Sequence, residues 1–277
     1  MKNILPLILA LIIAILSGTQ LCLLPERVSQ EAGTEAPTQP PSLTQTEPSD
    51  PPEEQPTAEQ LITSFALLHG LRYSDYPTEL IELLERNPET LQFVLEYPLK
   101  KDLRPSINLT EYVNSPTVPL FMQWDQRWGY LPYGDHVAGL TACGPVCLSM
   151  VAYCLTKDPN MSPDKLMAFA AENGYCIPGN GTAWALIGEG GKKLGLDVEE
   201  LPLHDGVMYN ELRDGWPIIC IMGPGDFTTT GHYIVITGLE DGAFRINDPN
   251  SYENSSKRWT YDQICDQINN LWVVRLP

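Results

Sequence analysis

The chain has 277 residues, 43% apolar and 19% charged, which excludes wholesale disorder and collagen-like structure. Seventeen Lys and Arg against 35 Asp and Glu give a formal charge of −18 with no basic run, so nucleic-acid binding is excluded and docking on anionic lipid is disfavoured. After the apolar N-terminus and a Pro/Glu/Thr-rich stretch, roughly 220 residues remain, enough for one domain with a real core and a small appendage.

Lys2 precedes an uncharged run from Asn3 to Pro25. Ile4–Leu24 is just long enough to span a bilayer, and Ile4–Leu16 has signal-peptide proportions. Ser17-Gly18-Thr19 makes a weak cleavage site, and Thr19-Gln20-Leu21 lacks the small residue expected ahead of a lipidated Cys22. Residues 1–24 therefore read as a signal anchor in preference to a cleaved signal peptide, with the rest of the chain on the extracellular face of the membrane, or secreted if the signal is cleaved. Residues 25–58 follow as a stalk. Residues 28–60 hold seven Pro and seven Asp or Glu, with no Lys, Arg or aromatic residue, so this stretch has nothing to collapse around.

Residues 59–102 read as a small helical segment. TELIELLER and ETLQFVLEY repeat apolar residues at helical spacing, each behind a proline that suits a first turn. From residue 117 to 277 the texture is that of a single α+β domain. A Trp-rich loop, PLFMQWDQRWGYLPYG, leads to an apolar helix opening at Gly144-Pro145. A second helix starts at Ser162-Pro163 and stops near Asn173-Gly174, and a third is expected over 182–194. The period then switches to short β-branched runs: LDVEELPL, WPIICIM, GHYIVITG, AFRIND and LWVVRL. One short helix, around 261–269, interrupts them. Helices followed by antiparallel strands predict helices packed on one sheet.

Seven cysteines are present, and export would permit three bridges among the six beyond Cys22. Cys143, Cys147 and Cys154 fall at helical spacing, however, where side chains a turn or more apart do not pair readily. Buried thiols with one functional thiol is the reading adopted.

That thiol is Cys143. Sitting where a helix starts, it meets unpaired N–H groups and the positive end of the helix dipole, which stabilise a thiolate and, equally, an oxyanion formed beside it. Cys147 and Cys154, deeper in the helix, read as small hydrophobes. His232 opens an alternating run that should be a strand, and the chain returns after Glu240-Asp241-Gly242 as AFRIND. With the turn centred near residue 240, His232 and Asp248 should lie across from one another or one place offset. A carboxylate there fixes the tautomer and direction of the imidazole, as a general base requires. Ser-hydrolase, phosphate-loop and zinc signatures are absent, no metal or organic cofactor is implied, and His69, His136 and His204 read as bystanders.

The order Cys on a helix, His on a strand, Asp on the next strand is also that of papain-like cysteine peptidases. More narrowly, VPLFMQWDQRWG, ACGPVCLSMV, GHYIVITG and INDPN resemble the bacterial family similar to the double-glycine, bacteriocin-leader-processing peptidases. YPTELIELLERNPETLQFVLEYP also looks like the helical segment that precedes the domain in exported members. The resemblance implies a papain-like fold with Cys143 as nucleophile, His232 as base and Asp248 as orienting residue. The chain departs from the family pattern at Ala142, where Gly is usual, and at Val137, where leader-processing members carry an oxyanion Gln; Gln123 is the best substitute. The expected function is therefore an exported thiol hydrolase, a cysteine peptidase acting on a peptide or protein. The alternatives are a non-catalytic module binding peptide or cell-wall material, or a cell-wall amidase or acyl transferase using the same triad.

Overall fold

The computed structural model describes residues 55–277. The expected anchor and all but the last residues of the stalk lie outside the described residues. Among those described, no helix is long and apolar enough to cross a membrane.

Three helices come first: α1 (Ala58–His69), α2 (Thr78–Arg86) and α3 (Leu91–Lys100). A capping box starts α1, with Thr57 Oγ1 accepting from Gln60 N–H and Gln60 Oε1 accepting from Thr57 N–H. Ile62, Phe65, Leu80, Leu84 and Phe93 form their shared core, which continues into Trp124, Tyr130, Val137 and Leu140 of the following domain. The helical segment is thus part of the same packed body.

The hairpin of β1 (Pro132–Tyr133) and β2 (His136–Val137) leads into α4 (Ala138–Thr141) and α5 (Cys143–Thr156). Every residue of α5 from Gly144 to Tyr153 is buried, as befits a helix apolar on all sides. Next come α6 (Pro163–Glu172), which stops as expected before a left-handed Gly174, and a second small hairpin, β3 (Cys176–Ile177) with β4 (Gly181–Thr182). The helix expected over 182–194 is shorter. Thr182 pairs with Cys176 in the hairpin, and helical backbone begins only with a π-helical turn at Leu186–Gly190, running into α7 (Gly191–Lys193). The apolar spacing marks the helical face but not its first residue, and strand pairing takes Thr182.

The remaining elements are β5 (Asp197–Glu200), α8 (Asp205–Arg213), β6 (Ile218–Met222), β7 (His232–Glu240), β8 (Ala243–Asn247), α9 (Tyr252–Ser256), β9 (Arg258–Trp259), α10 (Tyr261–Ile264) and β10 (Ile268–Arg275). The helix expected over 261–269 therefore ends early, because Ile268 already pairs with Met222 of β6. All five strand segments read from the sequence are present, in one antiparallel sheet of order β5-β10-β6-β7-β8-β9. One face carries Ile219, Ile221, Tyr233, Val235 and Val274 against α5 and α6. The other carries Ile218, Cys220, Ile234, Ile236 and Val273 against Met208 and Leu212 of α8. Helices thus cover both faces, which is why IICIM and YIVI run apolar without alternation. The class is α+β, as expected.

Candidate active site

Cys143 is the first residue of α5, where the leading N–H groups have no intrahelical acceptor. Gly144 N–H, Tyr233 N–H and the His232 ring are the groups that act on its sulfur. Burial raises the thiol pKa, but the His232 hydrogen bond and charge, with those two N–H groups, outweigh it and bring the pKa below the usual thiol value. Cys147, fully buried one turn on, is pushed well up by desolvation and by the neighbouring Cys143, Asp248 and Cys220. Only glycine fits after the nucleophile, since a Cβ on Gly144 would stand 2.7 Å from Thr182 Cγ2.

His232 starts β7 and is 7% exposed; Asp248, just past β8, is 1% exposed. His232 Nε2 lies 2.7 Å from Asp248 Oδ1, which leaves Nδ1 as the nitrogen for Cys143. Burial alone would lower the imidazole pKa. The Asp248 charge and hydrogen bond, helped by Cys143, reverse that and push it up to about 10. Asp248 is fixed in turn: Oδ1 also accepts from Asn250 N–H (2.8 Å), Oδ2 accepts from Asn254 Nδ2 (2.9 Å), and its own N–H donates to Ser255 Oγ (2.9 Å).

The register behind this meeting differs from the one expected. The hairpin turns on Asp241-Gly242, both at positive φ, so its centre lies past residue 240, and a bulge between Ile236 and Gly238 takes up one residue. Val235 pairs with Asn247, so continuing the ladder puts Asp248 opposite Ile234, two places from His232. The two side chains meet diagonally, at the distance a bridging hydrogen bond requires.

Gln123 is buried at 4% exposure. Its N–H donates to the Pro249 carbonyl (2.7 Å) and its Nε2 to the Gly139 carbonyl (2.8 Å), while Oε1 is buried without a partner. It ties the loop after Asp248 to the segment before Cys143, and it is not among the residues lining the cavity beside that thiol.

That cavity, of about 590 Å³, opens between the two small hairpins and is lined by Tyr133, Cys143, Cys176, Thr182, Trp184 and Tyr233, among others. No Lys or Arg lines it. Tyr133 Oη and Thr182 Oγ1 join the hairpins at 2.8 Å. Of the three histidines read as bystanders, His136 lines this cavity, His69 stacks on Phe65 and His204 caps α8 through Nδ1. Asn250, Asn254 and Thr182 were missed in the sequence. The only signal for Asn254 is its place in the Ser251-x-x-Asn254 start of α9. All six cysteines among the described residues are unbridged, and no cluster of three His, Cys, Asp or Glu side chains suits a metal there.

A cysteine at a helix N-terminus, facing a histidine and an acid carried by an antiparallel sheet, defines the papain-like class of cysteine peptidase folds. The chain belongs to the Peptidase_C39 like family, whose model matches residues 116–275. Solved structures give two likenesses. The peptidase domain of Streptococcus ComA, described as a bi-functional ABC transporter involved in a quorum sensing pathway, is 21% identical, with 58% of this chain and 99% of that chain covered, at a TM-score of 0.40. A protein described as a C39-like peptidase from Bacillus anthracis is 16% identical over 60% of this chain and 96% of that chain, at a TM-score of 0.37. A comparison with curated proteins finds no match.

Proposed function

We propose that the protein is a cysteine peptidase with Cys143 as nucleophile, His232 as acid and base, and Asp248 as the residue that orients the imidazole. The observation that carries this reading is the buried His232–Asp248 contact at 2.7 Å with Cys143 on the other side of the ring. Family membership supports the reaction class. The thiolate adds to a peptide carbonyl carbon, and the N–H groups at the start of α5 hold the resulting oxyanion, with the second hydrogen of Gln123 Nε2 proposed as a further donor. The imidazolium proton passes from Nδ1 to the departing amine. Water, deprotonated by the now neutral ring, then cleaves the thioester and releases the acid.

Peptide is the substrate class that best fits the cavity. Gly134, Gly179, Gly181 and Gly231 bring backbone groups to its wall, where an extended chain can hydrogen-bond, and no cation is there to select an acidic ligand. The apolar run after Lys2 supports export, with the peptidase tethered at the outer face of the membrane, or secreted if the segment is cleaved.

The test is incubation of the full chain with a mixed-sequence peptide library, products being mapped by mass spectrometry. Wild-type protein should generate new termini and Cys143→Ala none. Peptide binding without cleavage by the wild type would favour a non-catalytic binding module.

A further inference from the structure

Two contacts join the helical segment to the far side of the candidate site. Glu89, in the 3₁₀ turn Pro88–Thr90 before α3, accepts the N–H of Tyr252 on Oε2 and that of Glu253 on Oε1, both at 2.8 Å. These are the first two residues of α9, where the N–H groups have no intrahelical acceptor. Asn87 Nδ2 donates to the Asn250 carbonyl at 2.6 Å, an oxygen that Trp124 Nε1 also reaches at 3.2 Å. More than 160 residues separate the partners in sequence. The segment they hold, Asn250–Asn254, is the one that fixes both carboxylate oxygens of Asp248.

On its other flank the same segment presses on the run leading to Cys143. The Phe93 ring lies against Gly129 and Gly139, where a Cβ would come within 2.8 and 2.5 Å of it. Phe93 also stacks on Tyr130 at 4.6 Å, and Tyr130 Oη donates to the Phe93 carbonyl. Residues 57–102 therefore touch both the approach to the nucleophile and the support of the acid.

We propose that Glu89 and Asn87 are positioning residues for catalysis: the helical segment is a built-in brace that aims Asp248 at His232 by clamping α9 and the Asn250 carbonyl. This rests on the reading that Cys143, His232 and Asp248 form the reacting unit. Without the clamp, α9 loses the carboxylate over its first turn, and Asn254 and the Asn250 N–H no longer hold Asp248 in one orientation. A misaimed Asp248 supports less charge on His232. The imidazole pKa then falls from about 10 toward its ordinary value, and the thiolate loses its partner.

The experiment compares full-length wild type with Glu89→Ala, Glu89→Gln, Asn87→Ala and Asp248→Ala. It follows the pH dependence of Cys143 alkylation by iodoacetamide, which needs no substrate, and kcat and KM on a library-derived peptide. Folding is checked by circular dichroism. The brace predicts that Glu89→Ala lowers kcat about tenfold with KM little changed. It also predicts that the upper pH limit of thiolate–imidazolium behaviour moves down from about 10, and that Glu89→Gln, which keeps one acceptor oxygen, recovers part of both. Should Glu89→Ala fail to fold, the isosteric Glu89→Gln decides through the same pH limit. An unmoved limit and kcat in Glu89→Ala, with Asp248→Ala impaired, would overturn the brace while leaving the triad intact. An unimpaired Asp248→Ala would overturn the triad reading itself.

Discussion

Asp248 receives His232 Nε2 and Asn250 N–H on one oxygen and Asn254 Nδ2 on the other, so what an asparagine can do there is set by its neighbours. In Asp248→Asn the amide oxygen can keep the first two donors. Its nitrogen would then face the Asn254 amide nitrogen, and Asn254 must turn its oxygen inward. Once it does, the ring remains aimed, because an amide oxygen accepts an imidazole N–H. Asp248→Asn should keep substantial turnover in a peptide assay, while Asp248→Ala should lose at least tenfold more. The charge shows elsewhere. Without it the imidazolium loses its main support, so the alkaline limb of kcat/KM, expected near pH 10 in the wild type, should move to lower pH in both variants. The acid limb reports Cys143, whose lowered pKa keeps the thiolate to lower pH than a free thiol allows; limbs of this kind belong to the coupled pair. A wild-type alkaline limb near 6.5 would show that the Asp248 charge is not felt by the ring. Gln123→Ala should reduce kcat roughly 10²–10³-fold if the side chain serves the oxyanion, against a small change if it only braces Gly139.

The helix that carries the nucleophile depends on packing all round it. Leu148 is fully buried on α5, so Leu148→Ala should cost about 2–5 kcal/mol in a denaturant titration. Gly144→Ala acts at the other extreme: its new methyl meets Thr182, and the resulting overpacking should destabilise by about 1–3 kcal/mol while displacing the thiol and lowering kcat. At this scale the sequence is readable where local chemistry is strong. The Gly174 stop and the Gly-Pro start of α5 were legible because single residues impose the backbone there. The diagonal meeting of His232 and Asp248 was not legible in detail, since the hairpin turns beyond residue 240 and the bulge at Thr237, which leaves no mark in the residue pattern, takes back one residue of that shift. The late start of the third helix was hidden for a similar reason: strand pairing of Thr182 overrides a helical apolar spacing.

Seen whole, the molecule puts its cavity between two two-stranded hairpins that no sequence period announces, with Trp184 46% exposed at the wall and edge-on to Trp272. Trp184→Ala should raise KM several-fold with kcat less affected, because an exposed aromatic at a cleft wall supplies binding area and takes no proton. The candidate triad was legible from Cys143, His232 and Asp248 because each sits at an element boundary with its own chemical signature. Its supports were not, since Glu89, Asn250 and Asn254 acquire meaning only when distant segments meet. The proposed mechanism requires Cys143 to be a thiolate made nucleophilic by His232. It is tested most directly by the rate of iodoacetamide alkylation against pH, with peptide mapping, in wild type and His232→Ala. Cys143 should react first and stay reactive to lower pH than a free thiol, whereas His232→Ala, with burial left to raise the pKa, should move that reactivity up to or above the ordinary thiol range. Wild-type Cys143 that titrates like a free thiol, or labelling of Cys147 ahead of it, would rule this mechanism out.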